Sequence, residues 1–238
     1  MKLSLLERAL AASRAGRPAV LATNLKTGLQ TFIEPTETLG DLTLDADALA
    51  AIRKAVTEDR NTTFETAEGP VFVEVFNPRL RCIVVGAVHI AQPLARVAAL
   101  AGYLVTVIDP RTAFASDERF PDVTLSTEWP DEALEKLKPN RRTAIVTLTH
   151  DPKLDDPALS VALRSDAFYI GALGSKKTHA ARLKRLAALG FSESEMARIH
   201  GPVGLHISAV SPAEIAISIL AQITAVLRTE TQKSREAA

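Results

Sequence analysis

Short apolar runs alternate with stretches whose apolar residues return every third or fourth position, and the alternation is clearest over residues 80–111, LRCIVVGAVHIAQPLARVAALAGYLVTVIDPR. Residues 80–85 are too few for a helix and rich in β-branched side chains, which predicts a strand buried on both faces. Gly86 ends it. Ile90, Leu94, Val97, Ala98 and Ala101 fall at helical spacing, so a helix is predicted over 89–101, stopped by Gly102 and followed by a second buried strand over 103–108. Further on, strands are predicted over 123–126, 143–148 and 167–170, with helices over 130–137 and 156–164. Ser175 is placed to cap a helix reaching Leu189, and Ser211, Pro212 and Glu214 form a capping box ahead of an apolar helix over 215–227. Residues 110–122 read as a long loop.

Ahead of this series the pattern differs. Residues 1–16 predict an amphipathic helix, with Glu7, Arg8 and Arg14 among the leucines. Residues 17–23 and 29–35 flank a polar loop ending in Gly28, and 61–66 and 71–76 flank Ala67, Glu68, Gly69 and Pro70, so each pair predicts a hairpin. Between them Asp45 can cap a helix over 46–58 whose apolar stripe includes Leu49, Ile52 and Val56. Asn77 and Pro78 punctuate the join. The expected architecture is α/β: a small α+β N-terminal domain, residues 1–78, before a Rossmann-like doubly wound parallel sheet, residues 79–238.

In such a sheet ligands bind beyond the carboxyl ends of the strands, where strand order reverses. Gly86 in the first turn and Asp109 at the end of the second strand fit the dinucleotide-binding arrangement, with a pyrophosphate on the helix N-terminus and the acid on a ribose hydroxyl. Val88, however, stands where the fingerprint's second glycine belongs and Ala91 where the third does, so NAD(P) is disfavoured. His89, His150, His179, His200 and His206 all fall in the second domain, and Asp151 adds a carboxylate. Their types suit a divalent metal, but no recognised ligand spacing supports one. Gly171 to Thr178, GALGSKKT, offers glycine turns, a helix start, Lys176 and Lys177, and the hydroxyls of Ser175 and Thr178. That set suits an anion or a plain helix cap with solvated lysines, and it is not a Walker A loop.

Lys plus Arg and Asp plus Glu are both 28, so no global field draws the chain onto nucleic acid or an anionic membrane. The single cysteine, Cys82, lies in a predicted buried strand. It excludes an internal disulfide framework and a cysteine-based zinc site, and fits a reducing compartment. No signal peptide is apparent and no apolar run approaches the roughly 18 residues of a membrane span, so the chain reads as cytoplasmic. The apolar last helix suggests a homodimer.

An ordered series of motifs, VVGAVHIAQPLARVAALAGYLVTVIDPR, ERFPD, VTLTHDPKLDDPAL, YIGALGSKKTHAARLKRL, ARIHGPVGL and SPAEIAISILAQI, resembles the XdhC/CoxI family of accessory proteins for xanthine dehydrogenase and related molybdenum hydroxylases. The resemblance implies a Rossmann-type domain that binds the molybdenum cofactor, molybdopterin, protects it and delivers it to an apo molybdenum hydroxylase. It carries over Gly86, His89, Asp109, His150, Asp151, Gly174, Ser175, Lys176, Lys177, Thr178 and His179 as cofactor-binding positions, with no turnover of the chain's own. Fuller family members also carry a cysteine-containing stretch of the SGGCVE type, whereas residues 1–79 here hold no cysteine. The implied alternatives are a separate partner bearing that segment, or a cofactor held by phosphate and pterin alone.

Overall fold

The computed structural model describes residues 3–236. They divide into two compact units, one reaching to Pro78 and taking in the helix end from Thr229, the other Arg79–Arg228.

The first unit runs α1 (Leu3–Arg14), β1 (Ala19–Asn24), β2 (Gln30–Ile33), β3 (Thr38–Gly40), α2 (Ala46–Glu58), β4 (Thr62–Thr66) and β5 (Gly69–Phe76). Its five strands form a sheet in the order β3-β2-β1-β5-β4, antiparallel at every pairing. Central β1 is apolar over its first four residues because both its faces are covered there. Val20 and Ala22 pack with Ile52 and Ala55 of α2, and Ala19 and Leu21 with Leu5, Ala9 and Ala12 of α1. The expected Asp45 cap is present, its side chain accepting from the Ala48 amide.

In the second unit β6 (Arg81–Val85), α3 (Ala91–Leu100), β7 (Leu104–Ile108), β8 (Thr124–Ser126), α4 (Pro130–Leu137), β9 (Thr143–Thr147), α5 (Pro152–Arg164), β10 (Tyr169–Ala172), α6 (Lys176–Ala188), α7 (Glu193–Met196), β11 (Ile199–His200) and α8 (Pro212–Glu236) follow one another. The six strands are parallel, in the order β11-β10-β9-β6-β7-β8. Counted along this unit that is the Rossmann order, with its reversal at β6. The period of two explains why the strands are apolar runs: Cys82 and Val84 face α3 and α8, while Ile83 and Val85 face α4, α5 and α6.

Several elements depart from the sequence expectation, β10 lying at Tyr169–Ala172 rather than 167–170. Helix α3 starts at Ala91 rather than residue 89, because Val88, His89 and Ile90 turn first and the Ala91 amide bonds the Val88 carbonyl at 3.0 Å. Helix α5 starts at Pro152, with Asp151 as its cap and proline in its first turn, so the 151–155 stretch is helix start and not strand-end loop. Strand β11 is two residues long, too short for any periodicity to reveal.

Helix α8 also runs well past the predicted 215–227. Its stretch Pro212–Thr229 is long and apolar enough to cross a membrane by length and composition, contrary to the expectation that no such run exists. One face of it nevertheless belongs to the domain core, with Ala216, Ile219 and Ile223 fully buried against β6 and α3, while Ile217 on the outer face is exposed.

Leu94 of α3 has no exposed surface and sits in the same cluster. Leu94→Ala should therefore lower stability by roughly 2–5 kcal/mol. Chemical denaturation followed by the fluorescence of Trp129, the chain's single tryptophan and the residue preceding α4, reads this unit directly. An unchanged midpoint would show that α3 is not part of the cooperative core.

Candidate functional site

Around the strand-order reversal, four loops meet the carboxyl edge of the sheet: those after β6, β7, β9 and β10. Backbone bonds lock them in turn. The Gly86 amide donates to the Ile108 carbonyl and the Leu148 amide to the Val85 carbonyl, both at 2.8 Å, and the Leu173 amide donates to the Thr147 carbonyl at 2.9 Å. Gly86 has φ +105°, and a Cβ there would lie 2.5 Å from the Thr149 methyl carbon. The glycine is thus required by the close approach of the β9 loop. Val88 packs against the apolar cluster around α3, and His89 is exposed.

Asp109 is fully buried. Its Oδ2 accepts from the Ala87 amide at 2.8 Å and from Arg111 Nη2 at 2.8 Å, and its Oδ1 from the Arg111 amide at 3.0 Å and Arg111 Nε at 2.9 Å. Burial pushes the carboxyl's pKa up, but the hydrogen bonds from Arg111 and from the Ala87 and Arg111 amides outweigh it and hold the group below the ordinary carboxylate range. Both oxygens are occupied, so the residue expected to meet a ribose or pterin edge instead staples the β6 loop to the β7 loop. What it presents outward is Arg111, whose side chain is 41% exposed. That guanidinium lies 4.6 Å from the centre of the Phe114 ring, and its pKa is raised first by Asp109 and then by Asp151 and Asp155.

On the β9 side, Asp151 caps α5 by accepting from the Lys153 amide at 2.9 Å, and His150 is exposed at φ 61°. Beneath them lies a buried polar group that the sequence did not single out. Thr149 donates to Asp155 Oδ1 at 2.6 Å. Arg182 of α6, 1% exposed, reaches Asp155 Oδ2 only at 3.5 Å and donates to the Leu173 carbonyl at 2.8 Å. Burial raises the pKa of Asp155 against the pull of Thr149 and Arg182, and burial lowers that of Arg182. Alongside, Arg185 forms a bidentate bridge from α6 to Asp156 of α5.

At the β10 end, Gly174 has φ +143°, and Ser175 caps α6 by accepting from the Thr178 amide at 3.1 Å. Lys176 and Lys177 are exposed on the first turn, where the first amides of a helix have no intrahelical acceptor. His179 is half-buried with Nδ1 lying over Gly201, where a Cβ would be 2.2 Å away, and burial followed by Arg182 lowers its pKa. His200 stacks on Tyr169 with ring centres 4.8 Å apart, and the Tyr169 hydroxyl donates to Gln222 at 2.6 Å.

The structure therefore brings Ser175, Lys176, Lys177 and Thr178 together as one exposed helix start. It turns Asp109 and Asp151 to loop and helix capping and leaves His89 and His150 on the surface. Among the described residues no group of three or more His, Cys, Asp or Glu could hold a metal ion, and no histidine is hydrogen-bonded to a hydroxyl or thiol. Burial pushes the Cys82 thiol up to about 12, which makes it an apolar filler and no thiolate ligand. The sequence does not mark Arg111, Asp155 and Arg182 as site residues, though two of them carry a signal: Asp155 lies four residues before the buried Leu159, and Arg182 four before the buried Leu186.

A carboxyl held lower in the folded than in the unfolded chain adds stability above its unfolded value of about 4. That stability is lost as pH falls through the folded value. Asp109→Asn should cost about 2–3 kcal/mol at neutral pH. Its deficit against the wild type should shrink below about pH 4, as denaturation of both proteins across that range will measure. A deficit independent of pH would mean that the charge does not hold the loops.

Residues 82–223 match the family model described as the XdhC Rossmann domain. The chain is 33% identical over 151 residues to the Escherichia coli protein named molybdenum cofactor insertion chaperone PaoD, covering 63% of this chain and 41% of that one. It is 34% identical over 154 residues to a Bacillus subtilis protein named as a probable xanthine dehydrogenase subunit, covering 64% and 44%. It is also 34% identical over 160 residues to the uncharacterized protein YqeB of Escherichia coli, covering 66% and 29%. The chain thus spans less than half the length of each of these relatives. A crystal structure described as a xanthine dehydrogenase from Bacillus halodurans superposes with a TM-score of 0.77 at 26% identity, covering 97% of this chain and 68% of that one. With its match over residues 82–223 and the parallel six-stranded sheet on which that match lies, this chain belongs to the XdhC family.

Proposed function

We propose that the chain is an XdhC-type accessory protein that binds the molybdenum cofactor as cargo and passes it to an apo molybdenum hydroxylase of the xanthine dehydrogenase type. The observation that carries this reading is the exposed start of α6 at the carboxyl edge of the sheet, with Ser175, Lys176 and Lys177 in solvent. Molybdopterin ends in a phosphate, and the unpaired amides and two ammonium groups there suit one. The names of PaoD and the Bacillus subtilis relative support the same role.

The cargo's metal end is treated differently. No ligand cluster among the described residues faces it, and Cys82 is neutral and buried. In this reading the chain grips the phosphate and pterin, and a separate partner with the cysteine-containing segment holds the molybdenum. A dehydrogenase fits less well, because a ribose-binding acid must have a free oxygen and those of Asp109 are both taken by Ala87 and Arg111.

Incubated with molybdopterin and desalted, the purified chain should retain the pterin and then activate an apo-hydroxylase. Absence of both overturns the proposal. The double variant Lys176→Glu, Lys177→Glu should keep its thermal midpoint, since both side chains are exposed, and retain the pterin about tenfold more weakly. Retention equal to wild type would move the phosphate away from α6. Titration with NADH should give no saturable change in nicotinamide fluorescence, and saturation at micromolar concentration would favour the dehydrogenase.

A further inference from the structure

Arg182 is the least satisfied charged group at this edge. A guanidinium carries five N–H donors. Nη2 is engaged by the Leu173 carbonyl at 2.8 Å and distantly by Asp155 at 3.5 Å, while Nε and Nη1 are buried and have no hydrogen-bond partner within the chain. The Thr147 hydroxyl oxygen and His179 Nδ1 are likewise buried and unpaired. Such groups normally find partners, and a charged one left without them is costly.

The position of these atoms shows what partner they lack. Side chains on a helix lean toward its N-terminus, so Arg182, nearly two turns into α6, reaches back to the turn that precedes the helix. Its bond to Leu173 places the guanidinium against the first residue of the turn that leads into Ser175, Lys176 and Lys177. Nη2 lies parallel with the unpaired Nε on one side and with the unpaired Nη1 on the other, so once the Leu173 carbonyl is released from Nη2 either pair is the two-bond fork that arginine presents to the oxygens of a phosphoryl group. Within this turn Gly174 sits at φ +143°, the Leu173 amide is held by Thr147 and the Leu173 carbonyl by Arg182, while Ser175 is tied to the helix by the Thr178 and His179 amides.

We propose that Arg182 is a latent phosphoryl-binding residue: when an anion enters over the start of α6, the 173–175 turn lifts, the Leu173 carbonyl leaves Nη2, and Nη2 with the adjacent unpaired Nε bonds the anion's oxygens. This deepens the reading of that site as the seat of the cargo's phosphate and rests on it. A purely structural Arg182 would serve only to pin Leu173 and to face the charge of Asp155.

The test uses the whole chain with inorganic pyrophosphate and, separately, inorganic phosphate, the affinity being taken from the thermal midpoint against ligand concentration. Wild type should bind at least one of them. Arg182→Met should bind the same anion at least tenfold more weakly, and Arg182→Lys should recover part of the loss. Because Arg182→Met leaves Asp155 buried without its counter-charge, the double variant Arg182→Met, Asp155→Asn is measured too. It should fold with a midpoint at or above that of wild type and show the same loss of anion affinity, although a repelling carboxylate has been removed. Tighter binding of phosphate than pyrophosphate marks a monoester end and the reverse a diphosphate bridge, and either supports the proposal. If wild type binds and both methionine variants bind equally well, Arg182 is structural and only this inference falls. If wild type binds neither anion, the anion site at α6 falls with it.

Discussion

The carboxyl edge of the second unit depends on one buried ion, the Asp109 carboxylate. A charge with no exposed surface persists only where its oxygens are paired, and here two backbone amides and a bidentate guanidinium meet them. Since one of those amides belongs to Ala87 and the guanidinium follows β7, the carboxylate fixes the separation of the loops that follow the adjacent strands β6 and β7. On its other side Gly86 presses against Thr149, whose hydroxyl is held by Asp155. The chain from Asp109 through Gly86 and Thr149 to Asp155 and Arg182 therefore runs across the strand-order reversal to α6 as a continuous set of contacts.

Those contacts are unequal, and the inequality carries the functional argument. Asp109 is saturated and its pKa depressed, as befits a structural staple. Asp155 and Arg182 are close but poorly paired, and burial weakens the charged form of each. One end of the network is closed and the other is short of partners, on the side where the helix start and its two lysines face solvent. In the proposed role this divides the work: the sheet edge near α6 meets the phosphate end of the cargo, and the molybdenum end is left to groups outside the described residues.

Much of this architecture is legible from apolar spacing, because strands buried on both faces are mostly apolar along their length. The runs that became β6, β7 and β9 announced themselves, as did the cap of α6 at Ser175. Partners were harder to read than positions. Asp109 lies where a ribose-binding acid would lie, and nothing in its spacing tells that Arg111, two residues on, has claimed it. Arg182 sits in a basic run, KKTHAARLKRL, where a solvated face is the ordinary expectation, and only its register with Leu186 betrays an inward direction. Val88 stands at the place of the fingerprint's second glycine, where a side chain disfavours NAD(P). It turns toward the α3 cluster, and the space above Gly86 is taken by Thr149. Two strands, β3 and β11, were too short to leave a pattern.

The central claim is that a phosphate, and not a metal or a nicotinamide, is what the carboxyl edge recognises. Hydrogen exchange of the chain with molybdopterin, set beside exchange with molybdopterin whose phosphate has been removed, tests it most directly. The account predicts that the intact pterin slows exchange of the amides over 173–179 and that the dephosphorylated pterin leaves them unchanged. Equal protection by both, or protection confined to residues 19–76, would contradict it.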